Sequence, residues 1–309
     1  MRQRSAHKRW RLAWLLATAP WLTAFGPYRS ATLGAASLGM ADAQVATAVG
    51  VAALVANPAN MAANQQQVLE FGAGRDSRGG HDGLHVGVVD ASSSWGIAAG
   101  VAYQRDVDWT HTPGLRTGND LRFGLALGGI NEVGRLTIGA SARWLTLDVP
   151  GAGKSRWLGG WTGDVGVAAS IHRFRLGGVV RHVLSPDAAE TPRRLAFGIG
   201  WADSHLLANV EASLGLRNPT PLAGTRAADG LAVRAGAAYQ IGDEGLQLRA
   251  GFAHDDSLDG VPALAQICAG LGWHTTTWAI DGSVGADVAG SGQWLAAVSL
   301  SWLMPQQSE

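Results

Sequence analysis

From about Gln67 onward, apolar and small or polar side chains alternate along the chain. In Leu121–Gly128, one parity carries Leu121, Phe123, Leu125 and Leu127, and the other carries Arg122, Gly124, Ala126 and Gly128. Leu195, Phe197, Ile199 and Trp201 alternate in the same way with Arg194, Ala196, Gly198 and Gly200. Successive side chains of a strand point to opposite faces, so this period predicts strands that separate two environments. Fourteen segments carry it: 67–74, 83–91, 94–105, 119–130, 134–148, 159–170, 172–184, 193–203, 205–214, 230–241, 245–254, 262–274, 275–287 and 293–303. Most are 9–13 residues long, which suits a tilted strand crossing a bilayer better than a globular sheet.

The connections sort by length. After odd segments they are the longer stretches 75–82, 106–118, 149–158, 185–192, 215–229, 255–261 and 288–292. After even segments they are tight, as at Ser92-Ser93, Asn131-Glu132-Val133 and Gly242-Asp243-Glu244. Short turns on one side and longer loops on the other are the pattern of outer-membrane barrels. Placed by strand direction, Trp95, Trp201, Trp273, Trp278 and Trp302 fall at periplasmic ends, and Tyr103, Trp144, Trp161 and Trp294 at extracellular ends. Two aromatic girdles bracketing an aliphatic band fit a lipid-facing surface. The opposite parity collects charge: Arg122, Arg135, Arg143, Asp164, Arg173, Arg175, Arg181, Arg194, Glu211, Arg234, Arg249 and Asp281. Arg or Lys facing lipid at mid-bilayer costs about 2–4 kcal/mol each, so these side chains are expected to face the lumen. Gly and Ala on the same parity are expected to leave room there. The expected fold class is all-β: an antiparallel transmembrane β-barrel of about fourteen strands, with a short, partly helical N-terminal plug.

The N-terminus reads differently. Arg2, Arg4, Lys8, Arg9 and Arg11 precede the apolar run Leu12–Phe25, which Pro20 interrupts. A basic head before a short apolar stretch is a secretory signal, assigned to residues 1–31, and the stretch is too short for a standard spanning helix. Export and a single cysteine, Cys268, fit a bacterial outer-membrane protein without disulfides. The whole chain balances 24 Lys+Arg against 24 Asp+Glu. Loss of the five basic residues of the head leaves an acidic mature protein, with no basic field for nucleic acid.

Residues 32–66 do not alternate. Ala41–Ala56 is rich in alanine, with Asp42 near its start as a helix cap, and Asn57-Pro58 is where a helix should stop. Small side chains suit this piece to the inside of a barrel. The run Gly39-Met40-Ala41-Asp42-Ala43, followed by Asn57-Pro58-Ala59-Asn60-Met61 directly before the first strand, resembles the N-terminal region of FadL-type outer-membrane transporters for long-chain fatty acids and aromatic hydrocarbons. That resemblance implies a fourteen-stranded barrel, a hatch formed by residues 32–66, and a barrel over 67–303 followed by a short tail, 304–309. It makes Asp42, Asn57, Pro58, Ala59, Asn60 and Met61 the ligand and hatch candidates. Asn60 stands where the family usually has glycine, and the outer loops are short for the family. The related barrels that carry the same Asn-Pro-Ala signature include shuttles and anchors of secretion systems.

Other chemistry is weakly represented. Gly151-Ala-Gly-Lys-Ser155 has Asp148 where a phosphate loop needs its first glycine, and a strand follows it. His81, Asp82 and His85 run from a loop into a strand and do not converge as metal ligands. Asp255, Asp256 and Asp259 lack calcium-loop spacing. His182 falls on the outward parity without serine and acid partners, and no nucleophile motif is present, so an enzyme acting on lipid is not expected. Cys268 is expected as a small packing residue. Arg122, Arg143, Asp164, Arg181, Arg234 and Asp281 are the lumen-charge candidates, able to hold a carboxylate or to pair among themselves. The expected function is passive diffusion of a hydrophobic small molecule such as a long-chain fatty acid, with no cofactor, no metal and no catalytic residue. The expected partners are that ligand, outer-membrane lipid and the barrel-assembly machinery, recognised through the closing strand Trp294–Trp302. The alternative is a non-transporting barrel that serves secretion or structure.

Overall fold

Each alternating segment forms a strand in the computed structural model, which describes residues 34–77, 81–107, 117–130, 134–150, 155–184, 193–216, 230–242, 245–255, 264–289 and 292–305. The expected signal segment 1–31 and residues 306–309 of the expected tail lie outside the described residues, as do Gly151, Ala152, Gly153, Lys154, Asp256 and Asp259. The strands are β1 (Gln66–Asp76), β2 (His81–Asp90), β3 (Ile97–Val107), β4 (Thr117–Ile130), β5 (Arg135–Pro150), β6 (Ser155–Ile171) and β7 (Phe174–Arg181). They continue as β8 (Arg194–Ala202), β9 (Leu206–Gly215), β10 (Leu231–Gln240), β11 (Gly245–Asp255), β12 (Leu264–His274), β13 (Trp278–Asp287) and β14 (Trp294–Pro305). Every neighbouring pair is antiparallel, and β1 pairs with β14, so the sheet closes. Closure removes the free edges that an open sheet would expose. Among the described residues no helix is long and apolar enough to cross a membrane.

The two parities separate as expected. Phe123, Leu125, Leu127, Phe197, Ile199, Val210, Ile267, Leu271, Val298 and Leu300 are exposed on the outer wall. Asp120, Arg122, Arg143, Asp164, Glu211, Arg234, Arg249 and Asp281 are buried on the inner one. An outer surface of that composition is stable in hydrocarbon and not in water.

Three local readings are corrected. First, β3 begins at Ile97, so Trp95 lies in the β2–β3 connection and is 84% exposed. Gly96 takes φ +71° there, and its carbonyl accepts from Gly128 N–H at 2.8 Å, so the chain turns where the alternation suggested a strand. Second, β7 stops at Arg181 because His182 adopts φ +57°. Its N–H then donates to Asp164 Oδ1 at 2.8 Å, and its ring comes within 3.1 Å of Arg143 Nη1. His182 therefore engages lumen charges and not the outer face. Third, Arg173 sits in the β6–β7 turn, exposed and 5.7 Å from the Trp201 ring centroid, and not in the lumen.

Candidate functional site

The lumen is occupied by the chain's own N-terminal segment. It comprises α1 (Ala35–Gly39), an irregular loop over residues 40–49, α2 (Gly50–Ala56) and a 3₁₀ helix, Pro58–Ala63. The helix expected over 41–56 is thus reduced to its last seven residues. Ala41 and Asp42 have φ of +52° and +59°, a conformation no right-handed helix allows. Asp42 is not a cap. Its N–H donates to Ser37 O at 2.9 Å, within a turn that closes α1. The space expected from inward Gly and Ala is filled by this segment, and glycine lets its backbone lie directly on the wall. A Cβ on Gly139 would stand 2.5 Å from Ala59 N, and one on Gly177 would stand 2.2 Å from Val45 O.

The Asn-Pro-Ala element has a defined role in this packing. Asn57 Oδ1 accepts from Ala59 N–H at 3.2 Å and so caps the 3₁₀ helix, whose first residue, Pro58, has no N–H to satisfy. Asn57 Nδ2 donates to Val45 O and to Val167 O of β6, both at 3.0 Å. Asn60 Nδ2 donates to the same Val45 carbonyl at 3.0 Å. One carbonyl of the loop is therefore gripped by two amides from the helix that follows it. Ala59 and Met61 are buried, and Met61 belongs to an apolar cluster with Val51, Leu54, Val89, Ala98, Ala102 and Ala126. Arg135 closes the far end by donating to the carbonyls of Ala62 and Ala63.

On the other side of the lumen, charged and polar groups hold the loop. Glu211 Oε2 accepts from the backbone N–H groups of Gln44 and Val45, each at 3.2 Å. Its Oε1 lies 3.3 Å from Arg234 Nη1 and 3.9 Å from Arg181 Nη2. Arg181 also donates to Ala56 O at 3.0 Å, capping the C-terminus of α2. Asn209 donates to Ala43 O and to Thr47 Oγ1, and Ser299 Oγ accepts from Ala35 N–H at 3.2 Å. A buried carboxylate is stable only with such partners.

Other lumen charges pair elsewhere on the wall. Arg122 and Arg143 converge on Asp120, with nitrogen–oxygen separations of 2.8 and 2.7 Å. Asp281 meets Arg249 at 2.6 Å and His274 at 2.9 Å. Of the charge candidates, Arg122 pairs with Arg143 through Asp120, and Arg181 with Arg234 through Glu211. Asp164 adjoins the first of these pairs through His182, which meets Arg143, and Asp281 lies apart with Arg249 and His274. Sequence reading missed Asp120 and the buried Glu70–His85 contact, 2.9 Å long. Both carboxylates lie on the inward parity of their strands, and Asp120 is two residues from Arg122, so parity alone could have found them. Cys268 is buried in a cluster with Ala35, Leu38 and Ala41. A pocket of about 20 Å³ remains beside it, between Leu38 and the wall residues His85, Gln104 and Leu295.

Solved structures of similar fold include monoaromatic hydrocarbon channels. CymD superposes with a TM-score of 0.66 at 15% identity, covering 89% of this chain and 98% of that one. A TodX deltaS2S3 mutant superposes with a TM-score of 0.58 at 13% identity, covering 88% and 98%. A TodX deltaS2 mutant gives 0.56 at 12% identity, covering 91% and 100%. At these identities the likeness is one of fold. No family model and no curated protein matches the sequence.

Proposed function

We propose that the protein is an outer-membrane channel for passive uptake of small hydrophobic molecules, with residues 34–63 as its hatch. The observation that carries this reading is the way the segment is seated. It fills the lumen joined to the wall only by the backbone that runs on into β1, with no disulfide among the described residues, and one side of it rests on hydrogen bonds to Glu211 and Asn209. Hydrogen bonds of that kind can be exchanged for bonds to water if the segment shifts and water enters, whereas buried apolar contacts have no such replacement. The fold shared with hydrocarbon channels supports the same reading. The solute would come from the loop side, lodge against the apolar and amide groups around Met61 and Asn57, and leave once residues 40–48 move. Diffusion down a gradient requires no cofactor, and long-chain fatty acids are one solute class that suits such a path.

A second reading is favoured by the tight packing of the segment and the water-sized pocket beside α1. In it the barrel is closed permanently and serves as an anchor or shuttle. Uptake separates the two. A host strain lacking its own hydrophobic-compound channels should accumulate a labelled long-chain fatty acid or toluene several-fold faster when it carries the protein. Equal uptake with and without correctly assembled protein would favour the anchor.

A further inference from the structure

The outer wall carries one polar strip at the loop end of β1–β5. Across the register, Phe71 faces Val86, Val86 faces Tyr103, Tyr103 faces Leu121, Leu121 faces Trp144, and Trp144 faces Trp161. Four of these are exposed aromatics on one hydrogen-bonded row, and the Trp144 and Trp161 rings meet at a tilt of 56° with centroids 5.2 Å apart. This is the geometry of an interfacial girdle. One step further toward the loops, on the same outward parity, lie Arg105, Asn119 and Thr146, which are in register with one another. Arg75 lies on β1, one step beyond that row. Tyr103 Oη donates to Asn119 Oδ1 at 2.7 Å, and Asn119 Nδ2 donates to Thr146 Oγ1 at 3.2 Å, so the polar row is tied to the girdle below it.

The strip is cationic. The side chain of Arg75 is 53% exposed, Arg105 is exposed, and the facing acid is Asp82, 3.7 Å from Arg75 Nε. Arg75 and Arg105 stand two strands and two residues apart, roughly 12 Å between Cα atoms from strand spacing and rise. Two extended guanidinium groups can converge across that gap. Between them Leu84 is exposed, and Ala73 leaves a shallow apolar step beside it. The same rim on the far side of the barrel presents Leu214, Leu231 and Val288, with the exposed Arg193 beside Leu216.

We infer that Arg75 and Arg105 form a docking site for a lipid whose phosphate headgroup carries a net negative charge, with its chains lying over Leu84, Phe71 and Tyr103. Charge complementarity holds at the depth where phosphates lie: among the described residues, two guanidinium groups stand against one carboxylate, directly above a girdle that fixes that depth. Guanidinium matches phosphate through paired N–H donors, which ammonium does not. The inference rests on the reading that the barrel spans a membrane, and deepens it by naming a lipid class and its contact residues.

The test uses the full mature protein reconstituted in vesicles of equal parts phosphatidylglycerol and phosphatidylcholine, then extracted and examined by native mass spectrometry. The wild type is expected to retain phosphatidylglycerol over phosphatidylcholine by at least threefold. The double variant Arg75→Gln/Arg105→Gln should lose that preference, while Arg193→Gln, an exposed arginine outside the strip, should keep it. Equal retention by wild type and double variant would overturn the proposal, as would an equal loss in Arg193→Gln. Displacement of the lipid by a matching concentration of inorganic phosphate would also overturn it, by making the site one for free anions. Failure to insert into vesicles at all would count against the membrane-spanning reading itself.

Discussion

Against β2–β5, residues 50–63 pack through apolar atoms and close backbone contact. Val51, Leu54 and Met61 are at most 1% exposed, and Ala59 lies directly on Gly139. Against β7–β11, residues 40–48 also pack closely, Val45 with Val179 and Ala196 and Met40 on Gly236 and Gly251, but they add hydrogen bonds to the polar wall groups Glu211 and Asn209. The two contacts respond differently to disturbance. Removing an apolar side chain leaves a cavity that the surroundings fill only in part. A polar contact is exchanged for water at small net cost once the group is exposed. In the proposed function the first half accordingly seats the segment, and the second half moves.

The comparison can be broken most severely at Gly139. Gly139→Leu drives a side chain into the backbone of Pro58 and Ala59, which cannot yield as a flexible side chain could. We expect loss of the heat-modifiable folded band on gels, or a barrel in which the segment becomes protease-sensitive. Gly282→Ala meets nothing within 4 Å and should behave as wild type. A tolerated Gly139→Leu with a protected segment would contradict the seat on β5.

Leu54→Ala and Glu211→Gln sharpen the contrast. The first should cost about 2–5 kcal/mol and lower the unfolding temperature without raising uptake. The second keeps the shape but weakens the grip on Gln44 and Val45 N–H. Because it also removes the charge facing Arg234 and Arg181, it should lower the unfolding temperature comparably, but unlike Leu54→Ala it should raise uptake several-fold. The reverse order of effects on uptake would assign mobility to the wrong half.

The smallest effect is expected at Asp203, in the β8–β9 turn and outside the lumen. The backbone N–H groups of Leu206 and His205, with the Trp201 indole, lower its pKa to about 2. A carboxylate with a depressed folded pKa contributes stability that is present above its unfolded value, near 4, and is lost as pH falls toward 2. Asp203→Asn should leave uptake unchanged, reduce thermal stability slightly at pH 7, and flatten its dependence on pH between 4 and 2. An effect of Asp203→Asn on uptake would show that the turn, and not only the loop over 40–48, controls passage.

The wall was legible because strand parity is a strong and repeated signal. Each of the fourteen segments became a strand, and Arg122, Arg143, Arg181 and Arg234 faced inward as the alternation required. The seat of the segment was not legible. Parity says that Glu211 points inward, but not that it meets Gln44 and Val45, which are more than 160 residues away in sequence. His182 and Asp42 were misplaced for the same local reason. Both adopt positive φ, which tertiary contacts impose and which neither alternation nor helix propensity reports. The inward glycines were read as empty space, although their missing side chains are what allow a second backbone to touch the wall.

The most direct test locks each half in turn, in a Cys268→Ser background. A Cβ on Gly198 would stand 3.3 Å from Ala46 Cβ, and one on Gly128 would stand 3.5 Å from Ala62 Cβ, both near the spacing of a disulfide. Uptake of a labelled hydrophobic solute is measured in oxidised and reduced cells carrying either Ala46→Cys/Gly198→Cys or Ala62→Cys/Gly128→Cys. The account predicts that oxidation of the first pair abolishes uptake, that reductant restores it, and that oxidation of the second pair has little effect. Full uptake with the first pair completely cross-linked would contradict it.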